Sequence, residues 1–217
     1  MLAAHLSRKL RLILLLLALP FITASQCVVL FSSNDSDDKD EDKDEIIIAS
    51  TGSFVDAPVQ GMFYRSGSIV GTTGPAGEFR YEPGEPVQFL IGDIRLGQPV
   101  NGKAVVTPLD LVPGGDIDTP AVINIARLLQ SLDSERGDKL ITLPASLNKQ
   151  AVSSNTAVAA AIQFLDFDDE VIFVNAASQL VAVLTADYPF TATLVDADSA
   201  RAHMLESIVN TVANGDE

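Results

Sequence analysis

The chain has 217 residues, a formal charge of −15 and a hydrophobic share of 47%, enough for a packed core in one domain or two small ones. Its acidity repels nucleic acid and anionic lipid headgroups, which excludes a DNA- or RNA-binding role. Cys27 is the single cysteine and His5 and His203 the two histidines, so neither an intrachain disulfide nor a Cys/His zinc site can form.

The N-terminus reads as an export signal. Residues 1–11 are basic through Arg8, Lys9 and Arg11. Residues 12–22 are apolar and broken by Pro20, and the small residues Thr23, Ala24 and Ser25 follow. This is the layout of a bacterial secretory signal over residues 1–26, and without it the chain is three charges more negative. Cys27 stands where a lipoprotein signal places the cysteine that is acylated and becomes the new N-terminus. Ala24, where such signals usually have Leu, and Gln26, where they have a small residue, depart from that pattern. Two alternatives stay open. Ordinary cleavage gives a soluble periplasmic or secreted protein. Residues 28–31 also extend the apolar run to about 20 residues, enough for an uncleaved inner-membrane anchor. The expectation is acylation of Cys27 and an outer-membrane lipoprotein facing the periplasm or the cell surface. One acyl chain binds weakly, so stable attachment takes several chains or a second contact.

Residues 27–45 then form a tether. Within it, residues 32–45 carry eight acids against Lys39 and Lys43. Like charges at this density keep a chain extended, so the segment reads as a solvated spacer, with a cation-binding strip as the alternative.

Short strands follow. Residues 46–48 open the series. In residues 59–65, Met62 and Tyr64 share one side of a strand, Val59 and Phe63 the other. Gly67, Gly71 and the Gly74-Pro75-Ala76-Gly77 run supply turns. Phe79 and Tyr81 fall on one face at period two. Val87, Phe89 and Ile91 alternate with Leu90, and residues 103–107 form a last strand stopped by Pro108. The glycines do not make a phosphate loop, because no Gly-Lys-Ser/Thr follows, and no Gly-x-Ser-x-Gly elbow is present. The absence of Trp counts against an aromatic stacking platform.

The order Asp-Ala-Pro-Val, Tyr, Gly-Thr-Thr, Gly-Glu-Phe-x-Tyr, Gly-Glu-Pro-Val-x-Phe-x-Ile-Gly and Leu-Gly carries a resemblance. So does Val-Thr-Pro-Leu-Asp-Leu-Val followed by Val-Ile-Asn-Ile-Ala-Arg-Leu-Leu-Gln-Ser-Leu-Asp. Residues 54–133, with an echo at 195–205, resemble a carboxypeptidase-regulatory-like or transthyretin-like module of secreted and surface-anchored Gram-negative proteins. That resemblance implies an extracytoplasmic accessory role and no active site.

The second half is helical. Thr119-Pro120 starts a helix as N-cap and first-turn proline, and Val122, Ile125, Ala126, Leu129 and Leu132 form its buried stripe. Asn124 and Arg127 lie on other faces, toward solvent or a cap. In residues 132–140, Asp133, Glu135 and Asp138 are candidate calcium ligands, although Arg136 interrupts the spacing of a calcium loop and a plain polar loop explains the same residues. Residues 156–165 are helical. Asp166, Asp168, Asp169 and Glu170 precede an apolar helix over 171–184, where acids suit the helix dipole better than catalysis. A last helix starts at Asp196 and buries Leu205, Ile208, Val209 and Val212, leaving His203 exposed and nearly opposite.

The reading is a single α+β domain over residues 46–217: a small antiparallel β-sandwich or barrel-like sheet over 46–113, then about four amphipathic helices over 119–213. No catalytic residues are assigned and no cofactor beyond the calcium candidate. The expected role is an envelope-anchored binding or accessory module for a surface protein or polymer. A structural spacer and a carboxylate-dependent hydrolase are the alternatives. If the 133–138 loop takes calcium, millimolar calcium should raise the melting temperature by several degrees; an unchanged melting curve removes the site.

Overall fold

The computed structural model describes residues 48–215, with side-chain burial through residue 211. The leader, Cys27, the tether, residues 46–47 and the acidic tail 216–217 lie outside the described residues, as does the Val212 side chain. The fold is α+β. Strands run in order β1 (Ser50–Phe54), β2 (Val59–Gln60), β3 (Phe63–Ser66), β4 (Ile69–Thr72), β5 (Glu78–Tyr81), β6 (Pro86–Ile91), β7 (Ile94–Arg95), β8 (Val100–Asn101) and β9 (Val105–Val106). A 3-10 turn, Pro108–Leu111, leads to α1 (Pro120–Ser131). The chain continues through β10 (Ile141–Thr142), α2 (Ala145–Gln150), α3 (Ala159–Phe164), α4 (Glu170–Leu184) and α5 (Ala197–Gly215).

The described strands form three sheets, with no closed barrel. One is β5-β1-β9, one is β10-β2, and the largest is β4-β3-β6-β7 with β8 also paired to β6. Most ladders are antiparallel, but β1 pairs with β9, and β2 with β10, in parallel. β6 lies between β3 on one side and β7 and β8 on the other. Val87, Phe89, Leu90 and Ile91 are all buried, so the expected in/out alternation is replaced by a strand covered on both faces. Phe89 is the centre of an aromatic group, 4.9 Å from Phe54 and 5.1 Å from Phe79 between ring centroids, the latter edge-to-face at 88°. Such pairs add about 0.5–1.5 kcal/mol each beyond burial.

Residues 59–65 do not form one strand. Gly61 adopts φ 84°, breaks the run into β2 and β3 and shifts its phase. Val59, Met62 and Tyr64 are consequently all buried, while Phe63 is only half-buried.

α1 is buried nearly all round. Ile125, Leu128, Leu129 and Leu132 join the main core with Phe54, Phe89, Phe173 and Leu180, so one apolar cluster spans sheet and helices. Val122 and Ala126 instead meet Ala200 and Met204 of α5 in a separate, smaller cluster. Asn124 and Arg127 are buried, not solvent-facing, because α4 and α5 both pack on this helix. Thr119 is the N-cap of α1, but its hydroxyl turns to Asp116. Five α-helices stand among the described residues where about four were expected; the addition is α2, six residues between Pro144 and Ala151.

The last helix is rotated from its expected setting. Ala200 and Met204 are buried, Ile208 is half-buried, and Leu205 and Val209 are exposed. The small surface offered by Val122 and Ala126 accepts Ala200 and Met204. Gly61→Ala should destabilise the fold by about 1–3 kcal/mol or more, since it forces a left-handed Ala and its Cβ meets the Leu143 carbonyl oxygen. A lower urea midpoint with an unchanged slope is the expected result.

Candidate functional site

Asp56 lies in a four-residue turn closed by a bridge between Val55 and Pro58. Ala57 in this turn has φ 58°, the one non-glycine positive φ among the described residues. A left-handed alanine costs about 1 kcal/mol or more, and such strain collects at functional sites. The turn puts the Asp56 carboxyl at 0% exposure. Gln130 of α1 donates its Nε2 to both Asp56 oxygens, each at 3.1 Å, and also reaches the Ala200 carbonyl of α5 at 3.2 Å. His203 of α5 places Nδ1 3.6 Å from Asp56 Oδ1, an ion-pair distance. One carboxylate thus gathers a turn, the central helix and the last helix.

Burial raises the Asp56 pKa to about 6, against the lowering effect of His203 and Gln130. His203 is raised above its ordinary value by facing Asp56, with partial burial acting the other way. Its ring is 43% exposed, as far as exposure was expected, but it is not alone. It borders a cleft of about 290 Å³ with Gln130 and Val195, and Asp133, Arg136 and Asp138 belong to the same lining.

Asp133 and Asp138, two of the calcium candidates, therefore share this cleft; Glu135 is not part of its lining. Asp133 Oδ1 accepts from the Glu135 amide at 3.1 Å and the Thr142 amide at 2.9 Å, and Asp138 Oδ1 accepts from the Leu140 amide at 3.0 Å. These oxygens shape the loop. Burial raises the Asp133 pKa, with Asp138 and Glu135 adding to it. Among the described residues no group of three or more His, Cys, Asp or Glu is placed to hold a metal ion. Arg136 is stacked on Phe190, 4.0 Å from the ring centroid, which ties the loop to the connection between α4 and α5. Tyr188 in that connection donates to the Leu132 carbonyl at 2.7 Å, and burial, then Asp133, pushes its hydroxyl up to about 12.

The acids at 166–170 sit elsewhere and serve the start of α4. Asp169 is its N-cap, accepting from the Val171 and Ile172 amides at 2.9 and 3.0 Å. Asp166 accepts from the Asp168 amide at 2.9 Å, and Glu170 pairs with Arg127 at 2.9 Å.

Asp56 has no local signal as a site residue beyond a charge set among Val55, Ala57 and Pro58. Its partners come from positions 130 and 203. The cleft lining presents the carboxylates of Asp133 and Asp138, the Arg136 guanidinium, the Gln130 amide and the His203 imidazole, groups that can bind a polar ligand and exchange a proton.

The pair sets an unusual pH dependence. Asp56 contributes stability that is full below its unfolded value of 3.8 and is lost as pH rises through about 6. The His203 contribution is full below 6.5 and is lost as pH rises through its higher folded value. Urea-unfolding free energies should therefore fall between pH 4 and 8 instead of rising. Asp56→Asn should remove about 2–3 kcal/mol of that slope.

No family model matches this chain, and neither a curated protein nor a solved structure does.

Proposed function

We propose that this protein is an exported, envelope-anchored binding module without enzymatic activity, held off the membrane by its acidic spacer and engaging a surface protein or polymer. The observation that carries the reading is the cleft beside His203, lined by residues between 130 and 141 together with Val195 and His203, with Asp56 buried behind the imidazole. The leader, Cys27 and the acidic run support export and tethering. The resemblance of residues 54–133 to surface-anchored accessory modules points the same way. A carboxylate-dependent hydrolase is the second reading, favoured by Asp56 standing behind His203. A plain structural spacer would make no use of the cleft.

The test has two parts. Intact mass of the membrane-extracted protein should show an acylated chain beginning at Cys27, and Cys27→Ser should release the protein from the membrane. Crosslinked envelopes should yield one enriched protein or polymer with the native chain, reduced about tenfold by His203→Ala or Asp138→Ala in a folded protein. Equal recovery of neighbouring components with all variants favours the spacer. Hydrolysis of envelope material that is lost on His203→Ala favours the enzyme.

A further inference from the structure

α5 is attached through an apolar cluster of its own, in which Leu109, Val112, Ile117, Val195 and Ile208 also pack. Ala200 and Met204 rest on Val122 and Ala126 in a cluster separate from the main core, while the larger Leu205 and Val209 face solvent. Polar contacts do the rest. Gln130 holds the Ala200 carbonyl, Arg201 pairs with Asp118 at 2.6 Å, and His203 faces Asp56. The third joins a fully buried acid to a half-exposed imidazole.

We propose that the Asp56–His203 contact is a proton-operated latch, which holds α5 on the Val55–Pro58 turn while His203 is charged and lets the helix loosen when His203 becomes neutral. A buried carboxylate is tolerated when a cation or a proton compensates it. With His203 protonated, Asp56 has a counter-ion. At lower pH Asp56 takes up a proton itself and keeps its bonds to Gln130. Only at higher pH is the buried ion left without either, and the helix that supplies His203 rests on a cluster apart from the main core. The other charged groups around His203 are Asp133, Asp138 and Arg136 in the cleft lining, and Glu206 on its own helix. None of these is fully buried, so water compensates them at either charge state of His203. The turn that carries Ala57 at φ 58° leaves Asp56 at 0% exposure, where this dependence on a partner is greatest.

The consequence for ligands rests on the cleft being a binding site, because α5 supplies His203 to its lining. The latch itself is measured without any ligand, so its failure and the failure of the binding reading are separate results. The experiment is hydrogen exchange on the full chain at about pH 6 and about pH 9, corrected for intrinsic rates, with α4 as the internal reference. Amides of α5 should lose about tenfold in protection at the higher pH while α4 does not change. Asp56→Asn, which keeps the shape and removes the charge, should hold α5 equally protected at both. Equal α5 protection at both pH values in the native chain, or a full response retained in Asp56→Asn, overturns the latch. Imidazole resonances give a second measurement should the variant not fold, since His5 is the one other histidine. The His203 midpoint must coincide with the midpoint of α5 loosening, and a separation of about one pH unit or more overturns the proposal.

Discussion

The guanidinium of Arg127 is the constraint around which the helical half is assembled. It sits at 7% side-chain exposure on α1, and a buried cation is tolerated only when its donors are met. Nε donates to the Val195 carbonyl at 2.8 Å, and Nη1 donates to Asn124 and to Glu170, both at 2.9 Å. The Phe173 ring lies 5.2 Å from its charged carbon. These partners come from α1, the first turn of α4 and the segment entering α5. Asn124 extends the network by donating to the Phe167 carbonyl at 3.0 Å, and Ser131 receives the Val195 amide at 2.8 Å. The network fixes where α4 begins and where α5 enters. It thereby fixes the height at which His203 meets Asp56.

The β-rich half was legible because its signals are local. Glycines and prolines mark its turns, and Phe79, Val87, Phe89 and Ile91 keep period two. What failed there is instructive. A single glycine at 61 reverses the phase of its strand, and periodicity read across it assigns Val59 to the wrong side. In β6 the alternation is real in sequence, but pairing on both edges and packing on both faces bury Leu90 as well. The short α2 gave no helical period to detect over six residues.

The helical half was legible in its boundaries and less so in its faces. Asp169 and Asp196 cap their helices by local chemistry, with Asp196 accepting from the Ser199 amide at 2.9 Å. The faces depend on what lies across from them. In α5 the largest apolar residues suggest one stripe, yet the partner surface is Val122 and Ala126, and small Ala200 fits it better. Arg127 and Asn124 looked like surface residues because, apart from each other, their partners lie more than 40 positions away. The candidate site shares this property: nothing near Asp56 in the chain announces Gln130 or His203.

The parallel pairing of β2 with β10 joins Val59–Gln60 to Ile141–Thr142 by two residues on each side. β9 likewise returns to lie beside β1. Neither ladder closes by a hairpin, so each waits on a long stretch of chain. Loop closure of that length is slow relative to hairpin formation. A polypeptide stopped short of residue 141 leaves the outer edge of β2 without its neighbour. Assembly of this body is consequently a late event, completed only once the middle of the chain has arrived.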